Sequence, residues 1–218
     1  MTAWRMGIDE AGRGCVIGPL VFGAYAIPAK RAGELARVGP RDSKALSHAR
    51  RVALRDQLVA LGGHRAVLEF GAPTLDRTNL GELTLQAIAE LVGQRQASVI
   101  FLDAPVQPSG IARWTERVRQ RLEGLGLGAI RIEASNRAED RYPEVAAASI
   151  LAKTRRDERL VALEERWGPI GSGYPSDPAC RRFLERMLDT HGDLPPCVRR
   201  RWQTVQRLLE ERRQPTLF

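Results

Sequence analysis

The sequence predicts an α/β fold, a central mixed sheet flanked by helices and followed by a small C-terminal helical appendage. Three observations carry this: short apolar strand patterns alternate with helical ones along the first three quarters of the chain, one strand is apolar without interruption, and the texture changes after Trp167. The first strand ends in two adjacent carboxylates, Asp9 and Glu10, followed at once by the turn Gly12-Arg13-Gly14.

Trp4, Met6 and Ile8 alternate with Ala3, Arg5 and Gly7 in the period of two that a strand requires. Neighbouring strand residues point to opposite faces, so for both carboxylates to reach one point the backbone must leave strand geometry at Glu10. Val16 to Ile27 is apolar and reads as a second strand, antiparallel to the first. Ser47 precedes Val52, Leu54, Leu58, Val59 and Leu61 at helical spacing, stopped by Gly62-Gly63, which predicts a capped helix. A third strand is expected at Ala66 to Phe70.

Leu83, Leu85, Ala87, Ile88, Leu91 and Val92 form the broad apolar face of a helix over Leu80 to Val92. Ser98 to Leu102 is the unbroken apolar strand, a pattern that belongs to sheets covered on both faces, and Asp103 stands at its end. A helix at Ala112 to Leu122, a strand at Ala129 to Glu133 and a long helix from Val145 to Trp167 continue the alternation. Two shorter helices are expected at Arg181 to Leu188 and Val198 to Arg212. The domain reading is therefore 1–167 an α/β body, 168–213 a helical appendage and 214–218 a flexible tail.

The chain of 218 residues carries 34 Lys plus Arg against 26 Asp plus Glu, a net charge of +8 and a pI near 10.2. This suits a polyanionic partner such as nucleic acid, although charge alone does not select one. Cys15, Cys180 and Cys197 are an odd, widely spaced set, which argues against a disulfide framework or a zinc knuckle and for a reducing compartment. No run is apolar enough to span a bilayer and no signal peptide is evident, so a cytoplasmic, monomeric protein without membrane contact is expected. His48, His64 and His191 follow no ligand spacing.

Asp9, Glu10 and Asp103 each fall near a predicted strand end, and open α/β sheets gather such ends at one edge. Oxygen donors without nearby His or Cys suit hard cations, Mg²⁺ foremost with Mn²⁺ as substitute. Taken singly, any one of these acids is most simply a turn cap.

The run Asp9-Glu10-Ala11-Gly12-Arg13-Gly14 resembles the signature of the ribonuclease HII family (type 2 ribonuclease H). Asp42-Ser43-Lys44, Leu102-Asp103-Ala104-Pro105, Tyr142-Pro143 with Ala147 to Lys153, and Gly171-Ser172-Gly173-Tyr174-Pro175-Ser176-Asp177-Pro178 extend the resemblance in the family's order over residues 4 to 205. The last wording is closer to the archaeal and eukaryotic branch. The resemblance implies a ribonuclease H-like fold and an endoribonuclease that hydrolyses the RNA strand of RNA–DNA hybrids. It further implies cutting on the 5′ side of ribonucleotides embedded in duplex DNA, leaving 3′-hydroxyl and 5′-phosphate ends, a role in ribonucleotide excision during replication and repair.

Two divalent ions, Mg²⁺ or Mn²⁺, are implied at Asp9, Glu10, Asp103 and a fourth carboxylate. The family places that residue four before the proline of the Tyr-Pro pair, usually as Asp. Here the slot holds Glu139, with Asp140 beside it, so either residue can fill the role; the kept spacing to Pro143 favours Glu139. If the departure abolishes catalysis, the chain becomes a hybrid-binding module instead, and a clamp-tethered adaptor is a third reading.

Substrate binding is implied at Gly12, Arg13, Gly14, Ser43, Lys44, Lys153 and Tyr174. Telling RNA from DNA requires a probe of the 2′-hydroxyl, and a glycine turn lets backbone groups approach a ribose closely. Tyr174 occupies the slot of a tyrosine that packs on the following sugar and favours deoxyribose. Arg199, Arg200, Arg201, Arg207, Arg212 and Arg213 either extend a phosphate track or solvate a helix. Gln214-Pro215-Thr216-Leu217-Phe218 resembles short peptides that dock on DNA sliding clamps; a frayed terminus is the simpler account.

Overall fold

A computed structural model of the chain describes residues 3–39 and 46–213. Its elements are β1 (Trp4–Ala11), β2 (Leu20–Pro28), α1 (Ala32–Val38), α2 (His48–Ala60), β3 (His64–Phe70), α3 (Ala72–Leu75), α4 (Leu80–Gln94), β4 (Val99–Asp103), α5 (Ile111–Glu123), β5 (Arg131–Ser135), α6 (Pro143–Trp167), α7 (Pro178–His191) and α8 (Gln203–Arg213). The five strands form one mixed sheet in the order β3-β2-β1-β4-β5. β1 runs antiparallel to β2 and parallel to β4, which in turn runs parallel to β5. The expected mixed sheet flanked by helices is thus present.

The chain divides into two compact units. The first contains residues 1–11, 21–68 and 80–155; the second contains 12–20, 69–79 and 156–218. In the first unit, α6 lies on β1 and β2 at backbone distance. A Cβ on Gly7 would stand 2.1 Å from the Glu144 carbonyl carbon, and one on Gly23 would stand 2.4 Å from the Ala148 oxygen. Beside these glycines, Phe101 and Val99 of β4 pack with Ala138 and Val145. Tyr25 and Ile27 join Leu54 and Leu58 of α2 and Ala147 and Ile150 of α6 in a second cluster. Ser47 caps α2 by accepting from the Arg50 N–H, as its position before the apolar pattern predicts.

The second unit has its own core, in which Val16 and Ile17 pack with Phe183, Leu184 and Met187 of α7 and Val205 and Leu208 of α8. Here the structure corrects the strand expected over Val16 to Ile27. β2 begins only at Leu20, because Ile17 forms an isolated bridge with Val198 and the Gly18 N–H bonds the Cys197 oxygen at 2.9 Å. Similarly, α8 starts at Gln203 rather than Val198, since Val198 belongs to that bridge and Arg199 is wholly buried. α1 and α3 were not expected; both are short, and α3 carries a proline in its first turn.

Gly7→Ala is expected to cost about 3 kcal/mol of folding stability, the upper part of the range for overpacking, because the obstructing atoms are backbone and cannot rotate away. Denaturant unfolding checks this; an unchanged midpoint would contradict the backbone contact.

Candidate active site

Asp9 and Glu10 do not leave strand geometry where the sequence reading expected. The ladder with β2 continues as Asp9↔Gly23, Glu10↔Phe22 and Ala11↔Val21, and the chain turns only at Gly12, whose φ is +87°. In a regular ladder the two side chains leave the backbone on opposite sides, here at the very end of the strand. Asp9 shares the face of Gly7 and Gly23, beneath α6. Glu10 shares the face of Ile8 and Phe22, which meets Thr84 and Ile88 of α4.

β4 supplies the partner. The parallel ladder ends at Ile8↔Leu102, and its next step sets Asp9 level with Asp103, the last residue of β4. Asp103 shares a face with Phe101 and Val99, and its Oδ1 accepts from the Ala138 N–H at 2.9 Å. That bond ties the strand end to a tight turn, Ala138–Asp140, entered through Arg137 at φ +54°. Within this turn Glu139 is buried, whereas Asp140 is exposed and pairs with Arg137 at 2.8 Å. Of the two candidates for the fourth carboxylate, Glu139 is the one that faces inward.

Asp9, Glu10 and Asp103 line one narrow pocket with Leu102, Thr84 and Ile88. Its volume of about 10 Å³ is near the minimum that a single water occupies. Burial pushes the Asp9 carboxyl from 3.8 up to about 7, and the charge of Asp103 adds to the rise. Three contacts oppose it: a hydrogen bond from Ser149, the Glu10 N–H at 2.8 Å, and the positive charge of Lys153. Ser149 and Lys153 stand one helical turn apart on α6, so the face that Gly7 and Gly23 admit is the face that serves Asp9. The spacing of Ser149 from Lys153 is the signal that would have singled out Ser149.

Among the described residues no group of three or more His, Cys, Asp or Glu is drawn together closely enough to hold a metal ion.

The remaining expected residues lie in the second unit or outside the described residues. Gly12, Arg13 and Gly14 form a turn closed by the Cys15 N–H on the Gly12 oxygen at 3.2 Å. The Tyr174 ring lies beside it: a Cβ on Gly14 would be 3.7 Å from Tyr174 Cε1. Beneath the ring, the Arg156 guanidinium lies 5.1 Å from its centroid. Ser43, Lys44 and the tail Gln214 to Phe218 fall outside the described residues. Of the arginines proposed as a phosphate track, Arg201, Arg207, Arg212 and Arg213 are exposed and Arg199 is not. Arg199 is fully buried, Arg200 is held by Asp193 at 2.8 and 2.9 Å, and Arg212 pairs with Asp189.

The family model for ribonuclease HII matches residues 6–205. The chain belongs to the ribonuclease HII family. It is accordingly an endoribonuclease hydrolase. The ribonuclease HII of Thermofilum pendens is 39% identical over 214 residues, covering 93% of this chain and 97% of the relative. The crystal structure of ribonuclease H2 from Pyrococcus horikoshii superposes with a TM-score of 0.86 at 33% identity, over 97% of this chain and 100% of that one. Ribonuclease HII of Archaeoglobus fulgidus, solved in a complex with PCNA, gives 0.80 at 35% identity, over 93% and 96%. No helix among the described residues is long and apolar enough to cross a membrane.

The raised Asp9 carboxyl sets a pH dependence. Its contribution to metal-free stability is fully present below about 4 and is lost as pH rises through about 7, where the folded chain gives up the proton. Thermal midpoints in EDTA are expected to fall in this window for the wild type relative to Asp9→Asn, and Mg²⁺ is expected to restore them above pH 7. Parallel curves for the two proteins would contradict the assignment.

Proposed function

We propose that the chain hydrolyses the RNA strand of RNA–DNA hybrids and cuts 5′ to ribonucleotides embedded in duplex DNA, with Asp9, Glu10, Asp103 and Glu139 as the catalytic carboxylates. The observation that carries this reading is the level placement of Asp9 and Asp103 at adjacent parallel strand ends, under a helix that offers Ser149 and Lys153 to Asp9. Burial, with the nearby charge of Asp103, raises the Asp9 carboxyl toward neutrality against the pull of Lys153; a divalent cation would stabilise the carboxylate in place of the proton.

The donor set fits Mg²⁺ or Mn²⁺. All four side chains are hard oxygen donors, and an incomplete protein shell suits cations that complete their coordination with substrate phosphate oxygens and water. A pair of such ions supplies Lewis-acid activation of water and stabilisation of the leaving 3′-oxygen, giving 3′-hydroxyl and 5′-phosphate products. Asp9, with Asp103 level beside it and Glu10 next in sequence, would help to hold the ions. Glu139 takes the fourth position, supported by its burial and by the bond that fixes its turn to Asp103. Lys153 neutralises charge at the cluster and contacts backbone phosphate, with Ser43 and Lys44 in the same role.

Substrate choice belongs to the second unit. The backbone of Gly12, Arg13 and Gly14 meets the ribose 2′-hydroxyl, and the Tyr174 ring packs on the next sugar and favours deoxyribose. Residues 1–167 then form the catalytic domain and 168–213 the substrate-binding appendage, with 214–218 docking on a sliding clamp. The PCNA complex of the Archaeoglobus relative supports a clamp as partner.

Asp9→Asn is expected to leave folding and hybrid binding largely intact while cleavage of a hybrid in Mg²⁺ falls by orders of magnitude; near-normal turnover would contradict the site. Duplex retention without any nicking by the wild type would instead favour the binding-module reading. Glu139→Gln is expected to be severe and Asp140→Asn mild in the same assay. The reverse order would move the fourth carboxylate to Asp140.

A further inference from the structure

Arg199 has no surface on which to meet a nucleic acid, yet it is among the largest fully buried side chains of the described residues. Burying a guanidinium is costly unless its donors are met. Here they are met by backbone oxygens of one segment, two in the glycine turn and one beyond it: Nη2 donates to the Gly12 carbonyl at 2.7 Å, Nη1 to the Arg13 carbonyl at 3.1 Å and Nε to the Gly18 carbonyl at 3.0 Å. Its own N–H donates to the Val16 oxygen at 2.8 Å, and its guanidinium lies 5.0 Å from the Trp202 ring centroid. Burial lowers its pKa to about 10, so it remains a cation at neutral pH.

The peptide geometry of the turn makes this more than a clamp. No peptide bond among the described residues is cis. In a trans peptide the C=O and the N–H that follows it point in opposite directions across one plane. Carbonyls of Gly12 and Arg13 drawn toward the guanidinium therefore turn the N–H groups of Arg13 and Gly14 the other way. A charged donor on the carbonyl also polarises the N–H of the same peptide, which strengthens it as a donor to an oxygen ligand.

We infer that Arg199 is a positioning residue for ribonucleotide recognition, holding the Gly12 and Arg13 carbonyls inward so that the amides of Arg13 and Gly14 face the sugar and phosphate oxygens of the substrate. The inference rests on the reading that the glycine turn meets the ribose. Arg156 braces the same assembly. It donates from Nη2 to Cys15 Sγ at 3.2 Å and to the Ser172 carbonyl, and it lies under the Tyr174 ring. The N–H groups of Val16 and Ile17 both donate to the Gly173 oxygen, at 2.9 and 3.3 Å. The turn and the tyrosine loop thus share one hydrogen-bonded frame, and the planar fork of an arginine is what spans it; a lysine offers a single point donor.

The test compares wild type with Arg199→Lys on a duplex carrying one ribonucleotide and on its all-deoxy counterpart. Arg199→Lys is expected to lower kcat/KM on the ribonucleotide duplex at least tenfold, with KM taking the larger share. The Mn²⁺-induced shift in thermal midpoint, which reports the carboxylates, is expected to stay at its wild-type value. A folded variant with wild-type kcat/KM would overturn the inference. NMR of the wild type covers a variant that does not fold: the Arg13 and Gly14 amides and the Arg199 side-chain N–H signals are expected to shift with the ribonucleotide duplex and not with the all-deoxy one. Amide shifts without any Arg199 response overturn the role of Arg199. No amide response at all overturns the reading of the glycine turn on which it rests.

Discussion

The first unit depends on one close approach, the seating of α6 on β1 and β2 through Gly7 and Gly23. Any side chain at either position would lift the helix by the width of a methyl group. With both absent, the helix backbone comes down onto the sheet, and Ser149 and Lys153 arrive at Asp9. The chemistry is thus set by two residues with no functional groups. What they permit is a buried carboxylate with a hydroxyl and an ammonium at hand, level with a second carboxylate on the neighbouring strand.

The second unit solves a different problem with the opposite material. It builds its frame on buried charge: Arg199 and Arg156 take the carbonyl oxygens of the glycine turn and the tyrosine loop, groups that would otherwise be lost to hydrogen bonding in the interior. The apolar core of α7 and α8 closes around Val16 and Ile17, so the helices near the C-terminus hold the segment that follows the N-terminal signature. Contact, rather than order along the chain, groups the elements. The division of α6 between units after Arg155 has the same origin.

Much of this was legible in the sequence. The alternation of Trp4, Met6 and Ile8, the unbroken run before Asp103 and the spacing of Leu83 to Val92 marked β1, β4 and α4, because burial on one or both faces leaves a period. The run Asp9 to Gly14 and the later motifs pointed to the family. Less visible was anything that depends on which distant backbone a residue meets. The bend placed at Glu10 lies at Gly12, since strand pairing with Phe22 holds Glu10 in the ladder and no local signal reports a partner twelve residues away. Val16 and Ile17 looked like strand because they are apolar, and their partner is the segment at Val198. Arg199 sat in a basic run that reads as a phosphate track or a solvated helix; three carbonyls in the interior claim it instead. By contrast, burial separates Glu139 from Asp140, and a single sequence does not record burial.

The central claim is that carboxylates from the ends of β1 and β4 and from the turn after β5 together hold divalent cations on a hybrid substrate. The most direct measurement is an anomalous difference map from crystals of the protein grown with Mn²⁺ and an RNA–DNA hybrid. Peaks in contact with Asp9 and Asp103 and with a phosphate of the RNA strand are the predicted result. Manganese bound only elsewhere, with the hybrid seated away from Asp9, would contradict the account.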